Sequence, residues 1–391
     1  MRLLSSRGVL FFVLLLWTAQ TSAQILPRYT NIDYVGDSLD RHRLDVYIPT
    51  SLHGPRPAVV YIHGGGWANG EKKGELRYDL TRLYQHKKYV IVDINYRYSQ
   101  DSIWPAQLYD CKAAIRHLRR YADTYNIDTC AIGVMGHSAG GHLAAVLGTT
   151  NHIDSLEGYH LGHLEYSSNV QAVVDFFGPT DFLKADGYFP LAPPDSCAEV
   201  AIYSTPYSMT SQLLGCPINT CPERVQSANP ITYVDGNEPP FSIYHGTFDC
   251  TVPLFQSEIL YESLIHEDIS TDFTVFENAV HADYVFYASP TVIALTDFFA
   301  EHLSAAACFF TPTDTISKSE FKIYPNPASD FLSIDLNDIP PPLSIEIINF
   351  TGKTIGHYED TTIDIRALPK GVYLIHLKFP KESITQKFVK I

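Results

Sequence analysis

Gly136-His137-Ser138-Ala139-Gly140 sets a serine between two glycines, directly after a strand-like run at 130–135 and just ahead of a helical pattern. A hydroxyl on such a sharp strand-to-helix turn is exposed for nucleophilic attack, and the turn tolerates no bulk on either side of it. Because a serine hydroxyl is a weak nucleophile, a base must take its proton and a carboxylate must orient that base. Asp249, after the strand-like run 241–245, and His281, after the run 272–276, supply acid and base in the chain order that this kind of turn uses. His63-Gly64-Gly65-Gly66-Trp67 follows another strand-like run, 58–62, and its glycine backbone can turn N–H groups toward a developing oxyanion. The chemistry implied is two-step acyl transfer through Ser138.

Rivals are present for two of these roles. Asp175 and Asp181 flank the end of the preceding strand-like run as alternative acids, and His245 and His266 are alternative bases, each with an ordinary reading as a turn or surface residue. His63, His137 and His142 crowd the same loops, but their spacing matches no zinc signature, so neither metal nor cofactor is expected. His63 reads as a brace for the glycine loop, His137 as the variable residue of the turn, and His142 as a residue one turn into the following helix.

Positioning these groups calls for an α/β fold with a doubly wound, mostly parallel sheet. Short apolar runs at 58–62, 89–94, 130–135, 170–177, 241–245 and 272–276 suit strands buried on both faces, and helical periodicity at 105–125, 139–148, 254–265 and 290–303 lies between or after them. RHRLDVYIP at 41–49 alternates as an antiparallel edge hairpin would. Positions 184–230, rich in Pro, Ser and Tyr, break the rhythm and read as a cap. Its Tyr188, Phe189, Tyr203 and Tyr207 would either stack on a substrate or form the cap's own small core.

The N-terminus carries Arg2 and Arg7, an apolar stretch at 9–17 and small residues at Thr21-Ser22-Ala23, the pattern of an export signal cleaved before Gln24. After cleavage no transmembrane segment is expected. The formal charge is −15, which disfavours nucleic acid as a partner. The segment 322–391 balances eight basic against eight acidic residues, so the negative excess belongs to the preceding part. The expected organisation is therefore a signal peptide at 1–23, a catalytic domain at 24–304 with its insertion, a linker at 305–321 and a small all-β sandwich at 322–391. In the last of these, Leu332, Ile334 and Leu336 share one face, as do Tyr373, Ile375, Leu377 and Phe379. Export places the seven cysteines in an oxidising compartment, where one must stay unpaired. Clustering favours a bridge from Cys197 to Cys216 or Cys221, whereas Cys111 and Cys130 are kept apart by the intervening helix.

HGGGW at 63, NYR at 95–97, PAQLYDCKAAIRHLR at 105–119, GHSAGGHLAA at 136–145, FFGPTD at 176–181 and HGTFD at 245–249 together resemble the bifunctional feruloyl and acetylxylan esterase-like branch of the α/β hydrolases. The resemblance implies an oxyanion hole from the amides of Gly65, Gly66 and Ala139, and an ester substrate linked to plant polysaccharide. A short-chain carboxylesterase or lipase is the alternative within the reaction class, and a non-catalytic glycan-binding protein on the same scaffold is the alternative outside it. IYPNPASDFLSIDL at 323–336, INFTGKTI at 348–355, LPKGVYLIHL at 368–377 and the terminal KFVKI resemble the C-terminal sorting domain of type IX secretion cargo. That implies recognition by the type IX machinery and an extracellular or outer-membrane-surface location.

Overall fold

The computed structural model describes residues 25–50, 54–189, 201–303, 322–336, 342–349, 354–358, 360–378 and 383–391. The expected signal peptide, the linker, Cys197 and Phe379 lie outside the described residues.

Eight strands form one sheet: β1 (Tyr29–Asp33), β2 (Arg43–Tyr47), β3 (Arg56–Ile62), β4 (Val90–Ile94), β5 (Ile127–His137), β6 (Ala172–Phe176), β7 (Phe241–Gly246) and β8 (Thr271–Phe276). Their order is β1-β2-β4-β3-β5-β6-β7-β8. Strands β1 and β2 make the antiparallel hairpin expected at the edge, and β2 joins β4 antiparallel. From β4 to β8 every pairing is parallel. The side-chain period of two, with both faces of the sheet covered, explains why the central strands are mainly apolar. In β3, Ala58, Val60 and Ile62 enter one core while Val59 and Tyr61 enter the other, and in β4 Val90, Val92 and Ile94 separate from Ile91 in the same way.

The helices are α1 (Tyr78–Arg82), α2 (Ala106–Arg120), α3 (Ala122–Tyr125), α4 (Ala139–Thr149), α5 (Met209–Leu214), α6 (Pro222–Ala228), α7 (Phe255–His266) and α8 (Ser289–His302). Apolar residues of α2, α4 and α7 fill one core, including Ile115, Leu143 and Leu260, and those of α1 and α8 fill the other, including Leu80, Leu295 and Phe299. All eleven residues of α4 are buried, which is why its sequence is nearly free of polar side chains. The sequence reading passed over α1, whose five residues continue into a single π-helical turn at Leu83–Lys87. A run that short gives little periodicity to read.

The tail makes a separate pair of sheets. Strands β9 (Lys322–Tyr324), β10 (Phe331–Asp335) and β13 (Thr362–Asp364) form one in the order β13-β10-β9. Strands β11 (Ser344–Asn349), β12 (Thr354–Tyr358), β14 (Gly371–Lys378) and β15 (Ser383–Lys390) form the other in the order β12-β11-β14-β15. Leu332, Ile334 and Ile363 from the first sheet pack with Ile345, Ile347, Ile375, Leu377 and Phe388 from the second, the arrangement of a small sandwich.

The cysteines correct one expectation. Cys216 is bonded to Cys221, only five residues away, so neither is available to Cys197. Cys130 and Cys250 are also disulfide-bonded, and among the described residues Cys111 is a buried free thiol. Clustering pointed to the right segment but not to the pair, because sequence spacing does not fix connectivity.

Candidate active site

Strand β5 ends at His137, helix α4 starts at Ala139, and Ser138 between them has φ 56° and ψ −121°. A non-glycine residue in that region carries about 1–3 kcal/mol of backbone strain, which the surroundings must hold. The Ser138 amide donates to the Phe176 carbonyl at 2.8 Å, and its carbonyl accepts from His142 N at 3.0 Å. Close backbone approach dictates the glycine that follows: a Cβ on Gly140 would lie 2.1 Å from the Ile62 carbonyl oxygen.

Asp249 and His281 both follow the carboxyl ends of strands and reach the same point. His281 Nε2 is 3.0 Å from Ser138 Oγ, and His281 Nδ1 is 2.6 Å from Asp249 Oδ2. Since an ionised carboxylate only accepts, Nδ1 carries the proton and Nε2 faces the serine as a bare acceptor. Asp249 is buried, and Oδ1 accepts from the amides of Thr251 and Val252 at 2.8 Å each. Burial works against its charge, but the neighbouring imidazoles of His281 and His245 outweigh that and hold the carboxyl well below its usual range.

The rival residues have other partners. His245 is fully buried, bonded to Ser257 Oγ at 2.7 Å and to the Val252 carbonyl at 2.9 Å, so it shapes the Asp249 turn. His266 is on the surface beside Glu267. Asp181 caps the short helix Phe182–Lys184 through Leu183 N. Asp175 accepts from Gly178 N and, being fully buried, has its carboxyl pushed up to about 6.

On the opposite side, Gly65 and Gly66 have φ 115° and 60°, and among the described residues neither amide donates to another backbone group. His63 accompanies this loop as expected, with Nδ1 2.8 Å from the Gly64 carbonyl oxygen and its ring stacked on Tyr96 at 4.4 Å. Sequence reasoning undervalued His142. Trp67 Nε1 donates to His142 Nδ1 at 3.2 Å, and His142 Nε2 donates to the Ala228 carbonyl at 2.7 Å. One fully buried imidazole thereby joins the glycine loop, the helix after the serine and the insertion. Its only sequence signal was a histidine in an otherwise apolar helix. The anchor matters because Trp67 itself has φ 57°, a strained value for a bulky residue.

Ser138, His281, the glycine loop and the insertion enclose a cavity of about 670 Å³. Phe177, Ile202, Tyr203, Tyr207, Met209 and Val252 make much of its wall. The four cap aromatics do not share one role, and Tyr188 takes neither of the two considered. Tyr203 is buried and Phe189 packs on the core, whereas Tyr207 is exposed on the cavity and Tyr188 stacks on Phe255.

Residues 44–264 match the BD-FAE family, more than half of the chain. The chain belongs to that family. This is the resemblance read from the glycine-loop and serine-turn motifs. A solved structure titled as a truncated carbohydrate esterase from gut microbiota is 32% identical with a TM-score of 0.62, covering 70% of this chain and 95% of that one. A bifunctional GH43-CE protein of Bacteroides eggerthii is 31% identical with a TM-score of 0.62, covering 71% of this chain and 35% of that one. The probable carboxylic ester hydrolase LipM of Mycobacterium tuberculosis is 28% identical over 257 residues, 64% of this chain and 55% of that protein. The chain spans about half the length of the curated relatives it matches. Residues 322–391 match the secretion system C-terminal sorting domain, and among the described residues no helix is long and apolar enough to cross a membrane.

Proposed function

We propose that the protein is a secreted serine carboxylic-ester hydrolase that removes acetyl or feruloyl groups from plant polysaccharide. The observation carrying this reading is the hydrogen-bonded series Ser138–His281–Asp249 opening on a glycine-lined cavity. His281 Nε2 takes the Ser138 proton as Oγ attacks the ester carbonyl, and the amides of Gly65, Gly66 and Ala139 receive the oxyanion. His281 then protonates the leaving alcohol, and water deprotonated by the same nitrogen releases the acid from Ser138. Asp249 stays ionised throughout and holds the imidazole in the tautomer this sequence needs. The matched sorting domain at 322–391 supports export through type IX machinery to the cell exterior or outer surface, with residues 24–304 as the catalytic part.

The apolar wall of Ile202, Met209, Val252 and Phe177 favours a second reading, a short-chain carboxylesterase acting on lipophilic esters. Acetate release from acetylated xylan, set against hydrolysis of tributyrin, separates the two. Ser138→Ala should lose more than about 1,000-fold in kcat on whichever is cleaved. Inertness of the wild type toward all activated esters, with saturable glycan binding, would instead support a binding protein.

A further inference from the structure

The wall that the insertion gives the cavity carries a sulfur. Met209 opens helix α5, and its place is fixed: Ser208 caps the helix by accepting from Ser211 N at 3.0 Å and donates to the Tyr203 carbonyl at 2.7 Å. From there the thioether reaches the glycine loop. A Cβ on Gly66 would run into Met209 Sδ and come within 3.2 Å of both Cγ and Cε, so the sulfur lies where a side chain of Gly66 would be. In the proposed reaction Gly66 supplies one of the amides that receive the oxyanion. Met209 is also half exposed, and it lines the cavity with Ser138 and His281. The other sulfurs are spoken for. Of the three methionines in the sequence, Met1 belongs to the expected signal peptide and Met135 is fully buried in β5. Cys111 is buried too, and burial pushes its thiol up, away from the reactive thiolate. Cys130, Cys216, Cys221 and Cys250 are in disulfides. Among the described residues Met209 is thus the one reduced sulfur open to solvent.

A thioether is soft and apolar, and a two-electron oxidant converts it to a polar sulfoxide whose oxygen accepts hydrogen bonds. Resting on the esterase reading above, we propose that Met209 is an oxidation site through which a peroxide switches the enzyme off. The sulfur lone pair attacks one oxygen of hydrogen peroxide, and the S–O bond forms as the O–O bond breaks. The departing oxygen takes the proton of the transferred one and leaves as water. Sulfur is thereby oxidised from thioether to sulfoxide, and the peroxide is reduced. The new oxygen arises beside Gly66, whose amide donates to no other backbone group among the described residues. There it competes with the oxyanion for the same donor.

The full chain would be treated with hydrogen peroxide, the added oxygen located by peptide mass spectrometry, and p-nitrophenyl acetate hydrolysis followed before and after. A single oxygen on Met209 should lower kcat about 10-fold or more with KM nearly unchanged, because an oxyanion donor acts on the transition state rather than on the bound ester. Methionine sulfoxide reductases for both epimers should restore the rate, which separates the switch from unfolding. Met209→Leu, judged against its own untreated rate, should change by less than about twofold on the same treatment. Met209→Gln, which sets a carbonyl oxygen near the place of the sulfoxide oxygen, should show the loss without any oxidant. Oxygen added elsewhere while Met209 stays intact, a Met209 sulfoxide with full turnover, or an equal loss in Met209→Leu overturns the proposal while leaving ester hydrolysis standing. An untreated protein that cleaves no ester overturns the esterase reading itself, and the oxygen map then still shows whether Met209 is the residue oxidised.

Discussion

The two ends of the cavity are built by different means. At the serine end, backbone packs on backbone: a Cβ on Gly64 would come within 2.7 Å of the His137 carbonyl oxygen, and one on Gly136 within 2.2 Å of the Gly140 carbonyl oxygen. At the insertion end, side chains such as Ile202, Tyr207 and Met209 form the wall, and all three are substantially exposed. Backbone contacts of the first kind admit almost no substitution, while an exposed side chain can change with little effect on stability. Under the proposed function, the reaction rests on a tightly packed backbone and the choice of ester on exposed side chains.

The sharpest way to break this comparison is Gly140→Ala. Its new methyl group has nowhere to go beside the Ile62 carbonyl, so the expected result is a loss of roughly 4 kcal/mol or more and of nearly all activity. Urea unfolding and ester turnover would measure it, and a well-folded, active variant would show that the serine turn is not held by backbone contact. Next is His142→Gln, which tests whether the two ends are coupled. Losing the bond to Trp67 should lower kcat about 10- to 100-fold with KM nearly unchanged, because the glycine amides act on the transition state rather than on the substrate.

The same variant has a pH signature. Burial pushes the His142 pKa down to about 4 from its usual 6.5. Between these values the unfolded chain binds a proton that the folded one refuses, so stability falls as pH falls through the window, at about 1.4 kcal/mol per pH unit for this group. The stability difference between wild type and His142→Gln should shift by about 3 kcal/mol against the wild type from pH 7 to pH 4. A constant difference would place His142 outside the buried network. The mildest expected effect is that of Tyr207→Ala: stability within about 0.5 kcal/mol, with a change of a few-fold in relative kcat/KM among acetyl, butyryl and cinnamoyl esters. Equal effects on all three would mean that the insertion wall does not select the acyl group.

This division also governs how far the sequence could be read. The central strands β3 to β7 were legible because burial on both faces makes their runs mainly Val, Ile and Phe, and the serine turn because close backbone approach forces glycine. Ser138, Asp249 and His281 were picked out by strand-end position and chain order, and the fold brings them into one hydrogen-bonded series. What the sequence hid were long-range side-chain contacts without a local pattern. Arg77 sits at the start of a five-residue helix, paired with the buried Asp79, and nothing near it announces that it lines the same cavity as Ser138. The role of His142 depends on Ala228, 86 residues away, and the Cys216–Cys221 bridge on a turn geometry that spacing alone does not specify.

The assignment of Ser138 as the attacking group, with His281 as its base, is tested most directly by covalent trapping. The full chain would be treated with an alkyl p-nitrophenyl phosphonate, and the modified peptide located by mass spectrometry. One adduct per chain on Ser138, formed at least 100-fold more slowly in His281→Ala, is the predicted result. Modification of a different residue, or an unchanged rate in His281→Ala, would contradict it.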